Sequence, residues 1–308
     1  MKCFITILFH LIFLMPVFGQ NDFLSQDYQI FGRKEPISLG SVFSALGSST
    51  ILVNPANVAF VSDNRINFGQ GRSGIGNGTF ISWMAPNLSI SSSTQKVERR
   101  DRLGLEHEKQ LLHFSFGIST KDLGYASKNS VIGIGLAIKR QADRLLDGVG
   151  EKTAGGNCVS IDLGLLFKWK QLALEMVLVD INSPKLSDSE LFYGRGIILG
   201  GRFTTPSGLT IALQGTGGNS YAGSDFGLSL AAEQTFLDHR LISRLQLTSF
   251  FAGFEATVQN ISASIGYRLN PNNHLITFLK DLEFSYALSF LALPNNVGTH
   301  MVVITKYF

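Results

Sequence analysis

Cys158-Val159-Ser160-Ile161-Asp162-Leu163-Gly164-Leu165-Leu166-Phe167 is the stretch that decides the fold. Val159, Ile161, Leu163, Leu165 and Phe167 share one parity, and Cys158, Ser160, Asp162, Gly164 and Leu166 share the other. A period of two places successive side chains on opposite faces of an extended strand, so one face is oily and the other mostly small or polar. The same rhythm runs through Leu282, Phe284, Tyr286, Leu288 and Phe290, and through Ile261, Ala263, Ile265, Tyr267 and Leu269. It returns in Leu112 to Ile118, Ile132 to Ile138 and Phe226 to Ala232.

Between these runs lie residues that favour turns: Gly74 to Gly78, Asp147-Gly148, Ser183-Pro184, Pro206-Ser207-Gly208, Leu237-Asp238-His239, Asn270 to Asn273 and Pro294-Asn295-Asn296. Strands are expected over 65–72, 78–84, 87–97, 109–119, 130–140, 156–168, 171–180, 193–203, 208–216, 224–235, 239–248, 253–259, 261–269, 280–291 and 298–308. With one pair of these forming a single bent strand, the count is about 14, and lengths near 9–11 suit tilted strands that cross a membrane. The strongly polar stretches Gln95 to Gln110 and Arg140 to Asn157 are expected as long loops on one side of the barrel, with tight turns on the other.

Composition narrows the class. Charged residues make up 16% and hydrophobic residues 44% of the chain, with 24 Phe and 32 Gly, whereas a soluble domain carries about 25% charge. Beyond residue 20 no uninterrupted apolar run approaches the roughly 20 residues that a spanning helix needs. A closed barrel is the other structure that satisfies every backbone group in lipid. A soluble β-sandwich would also alternate, but one core would then have to hide about 14 oily faces. A net charge of +3 is too small to point to nucleic acid.

At the amino terminus Lys2 precedes an apolar run from Phe4 to Phe18, and Val17-Phe18-Gly19 is suited to leader cleavage. The expected organisation is a signal peptide over 1–19, a plug or hatch over 20–63 and a transmembrane antiparallel β-barrel of about 14 strands over 64–308, in the bacterial outer membrane. Cys3 lies in the leader, so Cys158 is the one thiol of the mature chain.

No enzyme is indicated. Gly69-Gln70-Gly71-Arg72-Ser73-Gly74 fits a phosphate-loop string but runs from strand into turn. His107-Glu108 lacks a second histidine four residues on from His107, and there is no Gly-x-Ser-x-Gly elbow. Catalytic, cofactor and metal residues are accordingly expected to be none. Asp162, Lys168, Arg202, Glu233, Arg244, Arg268 and Glu283 fall on the inward parity and are expected to pair or to be solvated inside the barrel, with Arg195 near a membrane boundary and Cys158 inert.

Two further motifs carry a resemblance. The final strand ends in Tyr307-Phe308, which resembles the carboxy-terminal signal read by the barrel-assembly machinery. Ser38-Leu39-Gly40-Ser41-Val42-Phe43-Ser44-Ala45-Leu46, followed by Val53-Asn54-Pro55-Ala56-Asn57-Val58-Ala59 and a first strand from Ile66, resembles the amino-terminal region of FadL-like fatty-acid transporters and of the PorV/PorQ group. That resemblance implies a 14-stranded barrel with an amino-terminal hatch, in which Asn54, Pro55 and Ala56 form the hatch motif. Its implied partners are outer-membrane lipid, the barrel-assembly machinery and either a large secretion-system protein or a hydrophobic small molecule. The sequence leans to the first of these, a PorV-like component of protein secretion, because the chain is short for a FadL-like transporter and has Gly47-Ser48-Ser49-Thr50 where an acidic pair is usual. A FadL-like channel for compounds such as long-chain fatty acids is the alternative.

Overall fold

The computed structural model describes residues 54–308, apart from 74–75, 98–105, 126, 128, 147–151, 186, 188–193, 221–222, 238–239, 253–254, 270–280 and 292–296. The leader, most of the plug segment, and the turns at Asp147-Gly148, Asn270 to Asn273 and Pro294-Asn295-Asn296 lie outside those residues. A short 3-10 helix, Pro55–Phe60, precedes β1 Arg65–Ser73, β2 Gly76–Ala85, β3 Leu88–Val97, β4 Glu106–Ser119 and β5 Ser130–Leu146. There follow β6 Lys152–Trp169, β7 Leu172–Val179, β8 Gly196–Thr204, β9 Leu209–Ser220 and β10 Gly223–Phe236. The last four are β11 Leu241–Ala252, β12 Glu255–Leu269, β13 Leu282–Leu291 and β14 Val297–Tyr307.

Each strand pairs antiparallel with its sequence neighbours, and β1 pairs with β14 from Arg65 opposite Tyr307 to Ser73 opposite Thr299, so the 14 strands form a closed barrel. Closure leaves no free sheet edge. The alternation read from the sequence holds in three dimensions. Phe114, Phe116, Ile134, Leu136, Val159, Leu213, Leu230, Ile265 and Phe284 are exposed on the outside, while Ser115, Ala137, Ser160, Asp162, Ala212, Ser229 and Glu283 are buried on the inside. Such a large exposed apolar surface is costly in water and favourable in hydrocarbon.

Two expectations are corrected. Arg140 to Asn157 is mostly strand: Arg140 pairs with Val159 and Ala142 with Asn157, so β5 and β6 reach 17 and 18 residues. Likewise β3 runs to Val97 and β4 starts at Glu106, so only the middle of the other polar stretch is left as a connection. The sequence misled because strands that rise past the apolar belt turn polar on both faces. Nor do the two ends separate into tight turns and long loops. At the end that carries the carboxyl terminus, Pro86-Asn87 is tight but the β4–β5 connection takes residues 120–129.

The two candidate strands 253–259 and 261–269 are one strand, β12. Phe250 pairs with Val258 and Phe251 with Ala256, which leaves Thr257 as a bulge. One inserted residue shifts the register of the strand beyond it.

A different problem arises beside β6, because β7 has 8 residues and stops at Val179 while β6 continues. The exposed ladder is covered by Ile181, Asn182 and Ser187. Ile181 N–H donates to Ile161 O (2.9 Å) and Ser187 N–H to Asn157 O (3.0 Å). Between them the Asn182 side chain substitutes for a strand: its Oδ1 accepts from Ile161 N (3.1 Å) and its Nδ2 donates to Val159 O (2.8 Å). Asn182→Ala is expected to speed amide exchange at Ile161 by up to tenfold, as losing a hydrogen bond of about 1 kcal/mol implies. An unchanged exchange rate there would show that the side chain does not hold the edge.

Candidate functional site

A 14-stranded barrel with strands about 4.8 Å apart and tilted by about 40° has a backbone diameter of about 28 Å. Side chains fill an eight-stranded barrel but not one this wide. Among the described residues, Asn54 to Phe60 enter the lumen. Asn54 is extended (φ −125°, ψ 105°) and its Oδ1 accepts from Ala56 N–H at 3.0 Å, which caps the helix, while Pro55 supplies a preset φ at the first helical position. The helix stops after six residues, where Val61 returns to extended backbone.

This segment sits on a row of glycines. Gly117 on β4, Gly133 and Gly135 on β5 and Gly164 on β6 all face inward. A Cβ on Gly135 would overlap the backbone of Pro55 and Ala56, one on Gly164 would overlap Asn54 Oδ1, and one on Gly117 would stand 2.9 Å from Ala59 N. Only a wall without side chains allows so close an approach. The Asn54 amide is fully engaged there, since Nδ2 donates to Leu165 O (3.3 Å) and to Glu175 Oε2 (3.2 Å). Farther along, Val58 O accepts from Asn87 N–H (3.2 Å), and Asn87 O accepts from Gly117 N–H (3.1 Å), which ties the helix to the β2–β3 turn. Ala56 and Phe60 pack on Leu166 and Ala173, and the Lys168 ammonium lies 4.0 Å from the centroid of the Phe60 ring. The adjoining cleft, lined by Leu166, Ala173, Glu175, Gly201 and Arg202, is too tight to admit a water molecule.

Several of the inward charges are paired. Lys139 Nζ lies 2.8 Å from Asp162 Oδ1 and 2.7 Å from Asp180 Oδ1, and Asp180 N–H donates to Asp162 Oδ1 (2.8 Å). Arg244 Nε meets Glu233 Oε2 at 2.6 Å. Near the carboxyl terminus Arg268 stacks 4.1 Å from the Tyr307 ring centroid and bonds Asp281 (3.0 Å), while Tyr307 Oη donates to Glu283 Oε2 (2.8 Å). Register places Lys168 opposite Ala173 and Arg202 between Ala173 and Ala212, on the same inner face. All seven inward charges expected from parity therefore face the lumen. Sequence reasoning missed Lys139, Glu175 and Asp180: Lys139 borders a polar run that read as loop, and Asp180 lies just past the end of β7 with a positive φ. The glycine row was also missed, though its signal was present as glycine at inward positions of three consecutive strands.

Buried small and apolar side chains on the inner wall fall in two separate groups, Leu166 with Ala173 and Ala212 with Ala231, with Arg202 between them. Of the terminal pair, Tyr307 points inward, whereas Phe308 is exposed and its N–H donates to Asn64 O (2.9 Å). Arg195 is exposed just before β8, with its Nε on Ser183 Oγ (3.0 Å), and Cys158 is buried on the inner face. Among the described residues no group of three or more His, Cys, Asp or Glu is placed to hold a metal ion.

No family model and no curated protein matches the chain. Solved structures do resemble it. A Pseudomonas aeruginosa FadL homologue superposes with a TM-score of 0.57 at 9% identity, covering 86% of this chain and 96% of that one. The CymD monoaromatic hydrocarbon channel gives 0.56 at 10% identity, over 88% of this chain and 95% of that one. The Ralstonia pickettii toluene transporter TbuX gives 0.50 at 8% identity, over 86% and 94%. At these identities the likeness is one of fold.

Proposed function

We propose that the protein is a non-catalytic outer-membrane channel for small hydrophobic compounds, with the amino-terminal segment as its hatch. The observation that carries this reading is the seat itself: a barrel too wide to be filled by its own side chains holds a short segment against four inward glycines, with Leu166 and Ala173 packed beside it. A segment packed into a seat of this kind can leave without unfolding the wall. The likeness to channels described as carrying monoaromatic hydrocarbons and toluene supports the same class of cargo, and it favours the channel over the secretion component to which the sequence leaned. Asn54, Pro55 and Ala56 act as the hatch motif by fixing the helix start and anchoring it to β6 and β7. Tyr307 and Phe308 serve barrel assembly, and the leader over 1–19 directs export.

Expressed in outer membranes that lack other hydrophobic-compound channels, the protein is expected to raise uptake of labelled long-chain fatty acid or toluene several-fold. The purified protein is expected to retain an apolar ligand in native mass spectrometry. Background uptake together with a ligand-free protein would refute the reading.

A further inference from the structure

One sector of the outer wall does not suit lipid. Counting outward positions from the carboxyl-terminal end of the barrel, β4 presents Ile118, Phe116, Phe114 and Leu112, β5 presents Ile132, Ile134, Leu136 and Ile138, and β6 presents Phe167 through Val159. The apolar run stops after two residues on β1 and β3 and after three on β2, where Ala85 precedes Trp83 and Ile81. Ile66 and Phe68 are followed by Gln70, Trp83 and Ile81 by Thr79, and Leu88 and Ile90 by Ser92 and Thr94. Those four polar residues are all exposed. They are also adjacent, since Gln70 pairs with Thr79, Thr79 with Thr94, and Ser92 lies between Ile81 and Leu112 on neighbouring strands. Thr79 and Thr94 satisfy each other at 2.8 Å. The Gln70 amide and the Ser92 hydroxyl have no partner among the described residues. The inner face of the same strands is mostly polar, with Arg65, Asn67, Ser82, Ser89 and Ser91 buried beside Met84 and the Phe80 ring across Gly69.

We propose that this β1–β3 face is covered by a second copy of the chain, related by a two-fold axis along the membrane normal. The proposal rests on the membrane placement given above. Three physical points favour this occupant. A partner embedded in the same bilayer must offer hydrogen-bonding groups at the same height, and a two-fold axis along the normal ensures that. Hydroxyl and amide groups donate and accept alike, so an uncharged patch of Gln, Ser and Thr is complementary to itself. Finally, three strands about 19 Å wide and about 25 Å tall offer about 500 Å² per copy, near the roughly 1,000 Å² in total that a specific interface requires.

The test uses the full chain in native outer membranes with Cys158→Ser as background. Single Gln70→Cys, Thr79→Cys, Ser92→Cys and Thr94→Cys substitutions are oxidised and compared with Ile134→Cys and Leu230→Cys on other strands. At least one sector position should yield a disulfide-linked product of twice the monomer mass, in at least tenfold excess over both controls. In mild detergent, Gln70→Leu combined with Ser92→Val should shift the native mass from dimer to monomer while the barrel stays folded. No double-mass product at any of the four positions, an equal yield from the controls, or a product of some other mass would overturn the proposal. Recovery of the chain in the soluble fraction would remove the membrane placement itself, an outcome separate from an embedded barrel that fails to cross-link.

Discussion

Gly135→Ala is expected to unseat the lumenal segment and open the barrel, although it adds only one methyl group. That methyl would fall on the peptide joining Pro55 to Ala56. The wall cannot retreat without breaking its ladder with Gly117 and Gly164, so the helix must move instead. Overpacking of this kind costs about 1–3 kcal/mol, which shifts the balance between seated and displaced states by roughly 5- to 150-fold. In liposome swelling with a small sugar, the wild-type protein should stay near background and the variant should rise well above it. Gly215→Ala is the matched control, because its new methyl would have its nearest neighbour at 3.9 Å, and it should behave as wild type. A folded Gly135→Ala barrel as tight as the parent would mean that residues 54–60 do not obstruct the lumen.

Lys139→Met should give the largest loss of stability among the inward charges. The ammonium lies between Asp162 and Asp180, and all three residues are 8% exposed or less. Methionine of similar length keeps the packing but leaves two buried carboxylates facing each other without a cation. Removing one partner of a buried ion pair costs about 3–5 kcal/mol. Guanidinium unfolding in lipid vesicles should show a loss of that size. Adding Asp162→Asn and Asp180→Asn to the same variant should restore most of it, since a neutral amide cluster carries no uncompensated charge. A single variant within about 1 kcal/mol of wild type would show that lumenal water already screens the site.

The reading from sequence succeeded where a local rule applied and failed where distant strands had to be brought together. Val159 to Phe167 alternate within one strand, so their facing could be read without knowing what lay next to them. The chemistry at Asn54-Pro55 is likewise local, since the Asn54 side chain caps the helix that starts at the next residue. In contrast, Glu175 gains its meaning only because Asn54, 121 residues earlier, donates to it. Asn182 looks like any loop asparagine until β6 is seen to outrun β7. The bulge at Thr257 was not legible because register belongs to a pair of strands and not to one.

Period-two alternation and turn residues act over a few neighbouring positions, so a barrel of about 14 strands with an oily exterior and inward charges is legible from the residues alone. Where the lumenal segment sits, which carboxylates share Lys139 and where Gln70, Thr79, Ser92 and Thr94 meet on the outer wall emerge from the folded barrel alone. Those outcomes depend on closure and register, which set side by side residues that the chain holds far apart.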